Sequence, residues 1–194
     1  NLLLERAASP AVGQKLLDLI AWWEAHLSNE PHGFDDNPSP GNRAGGLTTI
    51  LEKSLGAVAK GGTSDLVEVC RYAEPIATPG FVFMDSPGFD PMSATGQVAS
   101  GANLICFTTG RGSCFGCRPV PSLKLATNTP LYRRMEEDMD INCGEILDGT
   151  ADLATMGERI FRAMLEAASG RPTKSEQLGY GEDEFAPWHL NPWF

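Results

Sequence analysis

No run in this chain approaches the ~20 consecutive apolar residues that a membrane-spanning helix needs. The opening, NLLLERAASP, lacks a basic leader and a full apolar core, so no secretory signal is expected there. Positive charge is scarce: 15 Lys and Arg stand against 25 Asp and Glu, a formal net charge of -10. Without a basic stripe to displace counterions, the charge argues against non-specific nucleic-acid binding. Histidine is rarer still, at three residues. His26 falls on an expected helix, His32 in a loop and His189 between Trp188 and Leu190, and no Ser, His, Asp order suggests a hydrolytic triad. The five cysteines are an odd number, which reads as reduced thiols in the cytoplasm rather than disulfide staples. Internal repeats and low-complexity tracts are lacking too.

What is present suits one domain, residues 1–194, with 42% hydrophobic residues to fill a core. Because the first residue is Asn1, the chain is expected to be a piece of a longer protein or a trimmed one. Leu16, Leu17, Ile20, Trp23 and Leu27 recur at helical spacing and predict a helix from Pro10 to Leu27. SNEPHGFDDNPSPGN then reads as a loop. Leu47, Ile50, Leu51, Leu55 and Val58 mark a second helix, stopped by Gly61 and Gly62. Leu66 to Cys70 and Phe81 to Met84 read as strands. Asp90 before Pro91 reads as an N-cap opening a helix that Gly101 closes, and Leu104 to Thr109 is the next strand. Strand, helix, strand with short links predicts a parallel, right-handed crossover. A strand over Leu123 to Thr127, a charged helix from Thr129-Pro130 through LYRRMEEDMD and a long helix around Leu153 to Leu165 follow. The tail 173–194, ending PWHLNPWF, is expected to dock rather than hang free.

Ligands of parallel α/β sheets bind at the loops after the strands. Two such loops are unusual here. After Met84 come Asp85, Ser86, Pro87 and Gly88; after Phe107 come Thr108, Thr109, Gly110, Arg111, Gly112 and Ser113. If their strands are neighbours, Asp85 and Arg111 project into one cleft. Glycines aim backbone N–H groups at a ligand, hydroxyls add donors, and Arg111 offers a planar fork for carboxylate or phosphate. The loop thus reads as an anion cradle, against the plainer alternative of a tight turn with a solvated arginine. A dinucleotide fingerprint fits less well, because Pro119 and Pro121 break the helix that should follow and Asn128 stands where an acid belongs.

Cys114 and Cys117 form a Cys-x-x-Cys pair, but a structural zinc wants four ligands and only Cys143 offers another loop thiol. Cys70 and Cys106 read as core. The stretch EEDMDINCGEI brings Asp138, Asp140, Asn142 and Cys143 close in sequence, a set of hard oxygens and a thiolate that suits iron, or else a solvated helix end. Lys53 and Lys124 each interrupt an apolar pattern. A desolvated lysine can act as a base, although an outward-facing one is the commoner outcome.

Three long blocks then carry a resemblance: NPSPGNRAGGLTTILEKSLGAVAKGG, FMDSPGFDPMSATGQVASGANLICFTTGRGSCFGCRPVPSLKLATNTPLYRRMEEDMDINCGEILDGT and TKSEQLGYGEDEFAPW. Together they resemble the C-terminal part of the altronate/galactarate dehydratase family over nearly the whole chain beyond Leu16. The resemblance implies the C-terminal catalytic domain of a longer cytoplasmic enzyme, an α/β fold with a variant Rossmann-like parallel sheet in three layers, and a homodimer. It implies a hydro-lyase that converts altronate to 2-keto-3-deoxygluconate, or acts on galactarate, with divalent iron or manganese. A sulfolactate sulfo-lyase of the same family makes loss of sulfite an alternative, and a non-catalytic binding or assembly fragment is another. For such chemistry the candidates here are Thr108, Thr109, Gly110, Arg111, Gly112 and Ser113 for substrate oxygens. Lys53, Lys124 and Asp85 are the catalytic candidates, and Asp85, Cys117, Asp140 and Cys143 the metal candidates.

Overall fold

The computed structural model describes residues 2–28 and 38–188. His32, His189 and the last residues of PWHLNPWF lie outside them. The chain is an α/β protein whose strands pair only in parallel, two in one sheet and three in another, among the described residues. It divides into two compact units with the boundary after Pro87.

The first unit holds α1 (Leu2–Glu5), α2 (Pro10–Leu27), α3 (Pro40–Ala44), α4 (Ile50–Ala59), β1 (Leu66–Cys70) and β2 (Phe81–Met84). Helix α2 occupies the predicted span. Ser9 caps it by accepting the Val12 N–H at 3.3 Å, and Pro10 takes the first turn, where its missing N–H costs nothing. Val12 and Leu16 face Leu66 and Val69 of β1 to form this unit's core. Strand β2 lies parallel to β1, Leu66 beside Phe81 and Cys70 beside Met84.

The second unit holds α5 (Asp90–Ala99), β3 (Ile105–Thr109), β4 (Ser122–Ala126), α6 (Thr129–Arg134), β5 (Ile141–Asn142), a 3-10 turn (Cys143–Ile146), α7 (Leu153–Ala168) and α8 (Lys174–Gln177). Its sheet runs β3-β4-β5 with β4 in the centre. On one face Ile105 of β3 packs with Ala94 and Val98 of α5 and with Phe115 and Cys117. On the other, Leu123 and Leu125 of β4 pack with Ile160, Ala163, Met164 and Ala167 of α7. Helix, sheet and helix make three layers within this unit. All five residues of β4 are buried, as a central parallel strand covered on both faces must be.

Several expectations change. The strands before and after α5 do not form a crossover within one sheet: β2 pairs with β1, and β3 with β4. The link from β1 to β2 returns to parallel without a helix, and α6 provides the helical crossover, from β4 to β5. Asp90 is the first residue of α5, not its cap; Phe89 takes the cap position and offers no side-chain bond. The charged helix stops at Arg134, six residues short of Asp140. Cys106 is exposed rather than core, because it lies on the edge strand, on the face whose core residues come from β4. No helix among the described residues is long and apolar enough to cross a membrane.

Candidate functional site

The parallel strands of the second unit end together at Thr109, Ala126 and Asn142. The loop after β3 is tied down there. Thr109 Oγ1 accepts the N–H groups of Arg111 at 3.3 Å and Gly112 at 3.0 Å. Asn128 donates from Nδ2 to the Gly110 carbonyl at 3.0 Å, while its Oδ1 caps α6 through the Leu131 N–H at 2.8 Å. Arg134 donates to the Arg111 carbonyl at 2.7 Å. Ser113 Oγ accepts the Phe115 N–H at 3.0 Å. Gly112 is needed twice over: its φ is +102°, and a Cβ there would meet Met135 Sδ at 2.1 Å. Two of the amides expected to cradle an anion are therefore spent inside the turn. Thr108 and Thr109 are half-buried and Arg111 is exposed. Side-chain hydroxyls and the Arg111 guanidinium remain as the groups this loop can offer.

Beside it stands a polar cluster of which sequence reasoning singled out only Asn142. Thr129 is buried; its hydroxyl donates to Asp148 Oδ2 at 2.5 Å and accepts from Asn142 Nδ2 at 3.0 Å. Asn142 Oδ1 in turn accepts the Gly144 N–H at 3.0 Å. Thr129 and Asp148 were not singled out, since Thr129-Pro130 reads only as a helix start.

Lys124 is the outlier of the unit. It lies mid-strand on β4, beside Phe107 of β3, and its side chain is 0% exposed. The expectation of an outward-facing lysine fails because both faces of β4 are covered. Among the described residues its Nζ has no hydrogen-bond partner, and the nearest carboxylate oxygen, Asp138 Oδ1, lies 3.9 Å away. Ser122, two residues earlier on the same face, is likewise buried with an unpartnered hydroxyl. Burial pushes the Lys124 amine below its ordinary value, opposed by the charges of Asp138, Asp140, Cys114 and Glu184. A desolvated amine of this kind is more easily held neutral, which is the state a proton acceptor needs.

The other candidates are placed as follows. Lys53, in the first unit, is exposed on α4 and donates to Asn42 Oδ1 at 3.2 Å. Asp85, also in the first unit, is half-buried. It accepts the Trp23 indole N–H at 3.0 and 3.2 Å, and burial pushes its carboxyl up despite that bond. Arg111 belongs to the second unit, and the strands that end at Asp85 and Arg111 lie in different sheets. Cys117 is buried among apolar side chains, and burial pushes its thiol up. Asp140 spends one oxygen on the Lys124 N–H at 2.7 Å and the other on the Lys174 N–H at 2.9 Å. Cys143 packs against the Leu123 and Leu125 core, and burial raises its thiol too. Among the described residues no three His, Cys, Asp or Glu side chains come together to hold a metal. Thiols held protonated and a carboxylate engaged by two amides do not fit a divalent ion as a set.

Residues 1–192 match the family model described as D-galactarate/Altronate dehydratase, C-terminal. The chain is 39% identical over 180 residues to a galactarate dehydratase (L-threo-forming) of Escherichia coli (strain K12), covering 92% of this chain and 34% of that protein. It is 35% identical over 182 residues to an altronate dehydratase of Bacillus subtilis (strain 168), covering 94% of this chain and 36% of that one. Against a (2R)-sulfolactate sulfo-lyase subunit beta of Chromohalobacter salexigens it is 36% identical over 149 residues, 76% of this chain and 38% of the other. The chain thus spans about a third of the length of these relatives. On the match along almost its whole length, it belongs to the D-galactarate/altronate dehydratase family and corresponds to that family's C-terminal region.

Proposed function

We propose that this chain is the C-terminal catalytic part of a hydro-lyase that dehydrates a sugar acid, altronate or galactarate. The observation that carries the reading is Lys124: a fully buried amine in the central strand of a unit that matches dehydratases, with no hydrogen-bond acceptor among the described residues and only a 3.9 Å ion pair to Asp138. Lys124 Nζ takes the proton from C2 of the substrate. The C2–H electron pair moves into the C1–C2 bond with its charge on the carboxylate oxygens, an enediolate. As this collapses the C2–C3 double bond forms, the C3–O bond breaks, and the hydroxyl leaves as water with a proton. The resulting enol becomes the 2-oxo-3-deoxy acid on reprotonation at C3.

An enediolate concentrates charge on the carboxylate oxygens and must be met by fixed donors. The hydroxyls of Thr108, Thr109 and Ser113 and the Arg111 guanidinium are the groups proposed for this, with Gly110 and Gly112 shaping the turn that presents them. A divalent ion such as Fe(II) or Mn(II) would serve the same charge. Cys117, Asp140 and Cys143 do not compose its site, and no step here passes through one. The enzyme is proposed to work in the cytoplasm, which suits its five free thiols, and as a homodimer.

The match to a sulfo-lyase subunit supports a second reading, in which sulfite rather than water leaves from C3. The test is product analysis of the complete enzyme with altronate, galactarate and sulfolactate under anaerobic conditions. A 2-oxo-3-deoxy acid from either sugar acid is the expected result. Sulfite from sulfolactate alone would move the proposal to the second reading. Binding of these acids without turnover would make the chain a non-catalytic ligand-binding or assembly module.

A further inference from the structure

A fully buried amine can act on a substrate only if something uncovers it. The segment packed against the loop after β3 in the second unit is residues 173–186. Its first anchor is Asp140, whose two carboxylate oxygens join the Lys124 N–H to the Lys174 N–H. Its second is the loop after β3. A Cβ at Gly116 would lie 3.0 Å from the Tyr180 carbonyl and 3.1 Å from Ser175 Cβ. The Gly181 carbonyl accepts the Arg118 N–H at 3.3 Å, and Arg118 pairs with Glu182 at the surface. The third anchor is Glu184. Its Oε2 accepts the Gly116 N–H at 2.7 Å, and its charge acts on Lys124 along with Asp138, Asp140 and Cys114. Beyond it the Ala186 N–H donates to Thr95 Oγ1 on α5 at 2.8 Å.

These anchors differ in kind. The Arg118–Glu182 pair is exposed on both sides and contributes little. The Glu184–Gly116 bond is part-buried and charge-assisted, and it joins groups 68 residues apart. In it a tail side chain holds the backbone of the loop after β3.

We propose that residues 180–186 form an opening cover over Lys124, and that Glu184 is the positioning residue that latches it by holding the Gly116 N–H. This rests on the reading of Lys124 as the working amine, but its test needs no turnover. Lys124 acetylation by limiting acetic anhydride at one fixed pH is followed by peptide mass spectrometry in the 194-residue chain, with exposed Lys53 as the internal reference. In the unaltered chain Lys124 should react at least tenfold more slowly than Lys53. Glu184→Ala should raise the Lys124 to Lys53 ratio at least fivefold. Gly181→Ala should do the same without changing any charge, because its Cβ would press on Arg118 N, Cys117 N and Gly116 C at 2.9 Å. Glu184→Gln, whose amide oxygen still accepts from Gly116, should stay within twofold of the unaltered ratio, as should Glu182→Ala.

Equal ratios in Glu184→Ala, Gly181→Ala and the unaltered chain would overturn the proposal. So would a Glu184→Gln ratio as high as that of Glu184→Ala, or an equal effect from Glu182→Ala. Hydrogen exchange of the unaltered chain covers the case of a variant that does not fold. Peptides 113–118 and 180–186 should exchange together, faster than β4. If they exchange only along with β4, the cover does not open by itself and the proposal falls. Loss of dehydratase activity in the assay above would leave all of these outcomes unaffected.

Discussion

Asp140 grips both backbone groups of Lys124: its carboxylate accepts the Lys124 N–H at 2.7 Å, and its own N–H donates to the Lys124 carbonyl at 2.9 Å. Its second carboxylate oxygen accepts the Lys174 N–H at 2.9 Å. One acid thus fixes the position of the buried lysine and anchors the start of the covering segment. Asp140→Ala should cost about 2–4 kcal/mol, since it strips a charged acceptor from two backbone donors. Asp140→Asn, with one acceptor oxygen left, should cost about half as much. Urea unfolding measures both, and a change under 1 kcal/mol for alanine would deny Asp140 this role.

Lys124→Met should separate stability from activity. A buried amine with no hydrogen bond among the described residues and only a 3.9 Å ion pair to Asp138 gives little to the fold, and an apolar chain of similar length fits its surroundings. Stability at pH 7 should be equal or higher, while turnover by the complete enzyme should fall roughly 10²–10⁴-fold, as for removal of a general base. The pH dependence has a definite sign. Folding lowers this amine below its ordinary 10.5, so between its folded value and 10.5 the unfolded chain binds more protons. The unaltered chain should therefore gain stability relative to Lys124→Met as pH rises through that window. A flat difference in urea midpoints across it would show that the amine is not desolvated.

Local signals carried much of this fold. Helix α2 was readable because the spacing of Leu16, Leu17, Ile20, Trp23 and Leu27 is helical from Pro10 on, and the structure adds the Ser9 cap. The spans of β1 to β4 were readable within two residues because Gly, Pro and Asn punctuate them, whereas the two-residue β5 was not expected. Strand partners were not: whether β2 lies beside β1 or β3 depends on contacts far apart in sequence, and a strand, helix, strand order admits both. The burial of Lys124 was hidden for a related reason. SLKLA alternates like a half-exposed strand, and only its central position with helices on both faces makes it wholly buried. Glu184 was invisible because GEDE reads as solvated charge, while its partner Gly116 lies 68 residues away.

Asp85 should respond to pH in the opposite sense to Lys124. Burial raises its carboxyl above the ordinary 3.8, outweighing the Trp23 and Ser86 bonds. Its stabilising contribution is thus complete below 3.8 and is lost as pH rises through the elevated folded value. Asp85→Asn keeps an acceptor for the Trp23 indole and removes the charge. It should match the unaltered chain near pH 3.8 and exceed it in stability near pH 7, as read by urea unfolding monitored through tryptophan emission. Equal stability at both pH values would mean the carboxylate is well solvated.

Glycines at two sites should respond with opposite signs. A Cβ at Gly144 would stand 2.1 Å from the Thr129 N and 2.4 Å from the Asn128 carbonyl carbon, both backbone atoms that cannot step aside. Gly144→Ala should cost about 2–3 kcal/mol and disturb the Asn142, Thr129 and Asp148 cluster. Gly157 lies inside α7 with open space around it, so Gly157→Ala should stabilise by about 0.5–1 kcal/mol. Thermal unfolding of the two variants side by side checks the contrast, and destabilisation by both would show that α7 needs its glycine for packing.

Thiol labelling probes the Cys-x-x-Cys pair and the question of a metal together. Cys114 is exposed, whereas Cys117 is buried in an apolar cluster with its thiol pushed up by burial and by Glu184. Only the thiolate reacts, so an aromatic disulfide reagent should modify Cys114 quickly and Cys117 far more slowly, by about a hundredfold or more. Cys143, half-buried and raised by burial and Glu145, should lie between them. Prior incubation with Fe(II) or Mn(II) should leave the Cys117 and Cys143 rates unchanged, because among the described residues neither thiol belongs to a group of three His, Cys, Asp or Glu side chains that could hold an ion. Slowing of both by either metal would reverse that assignment and make the two cysteines ligands after all.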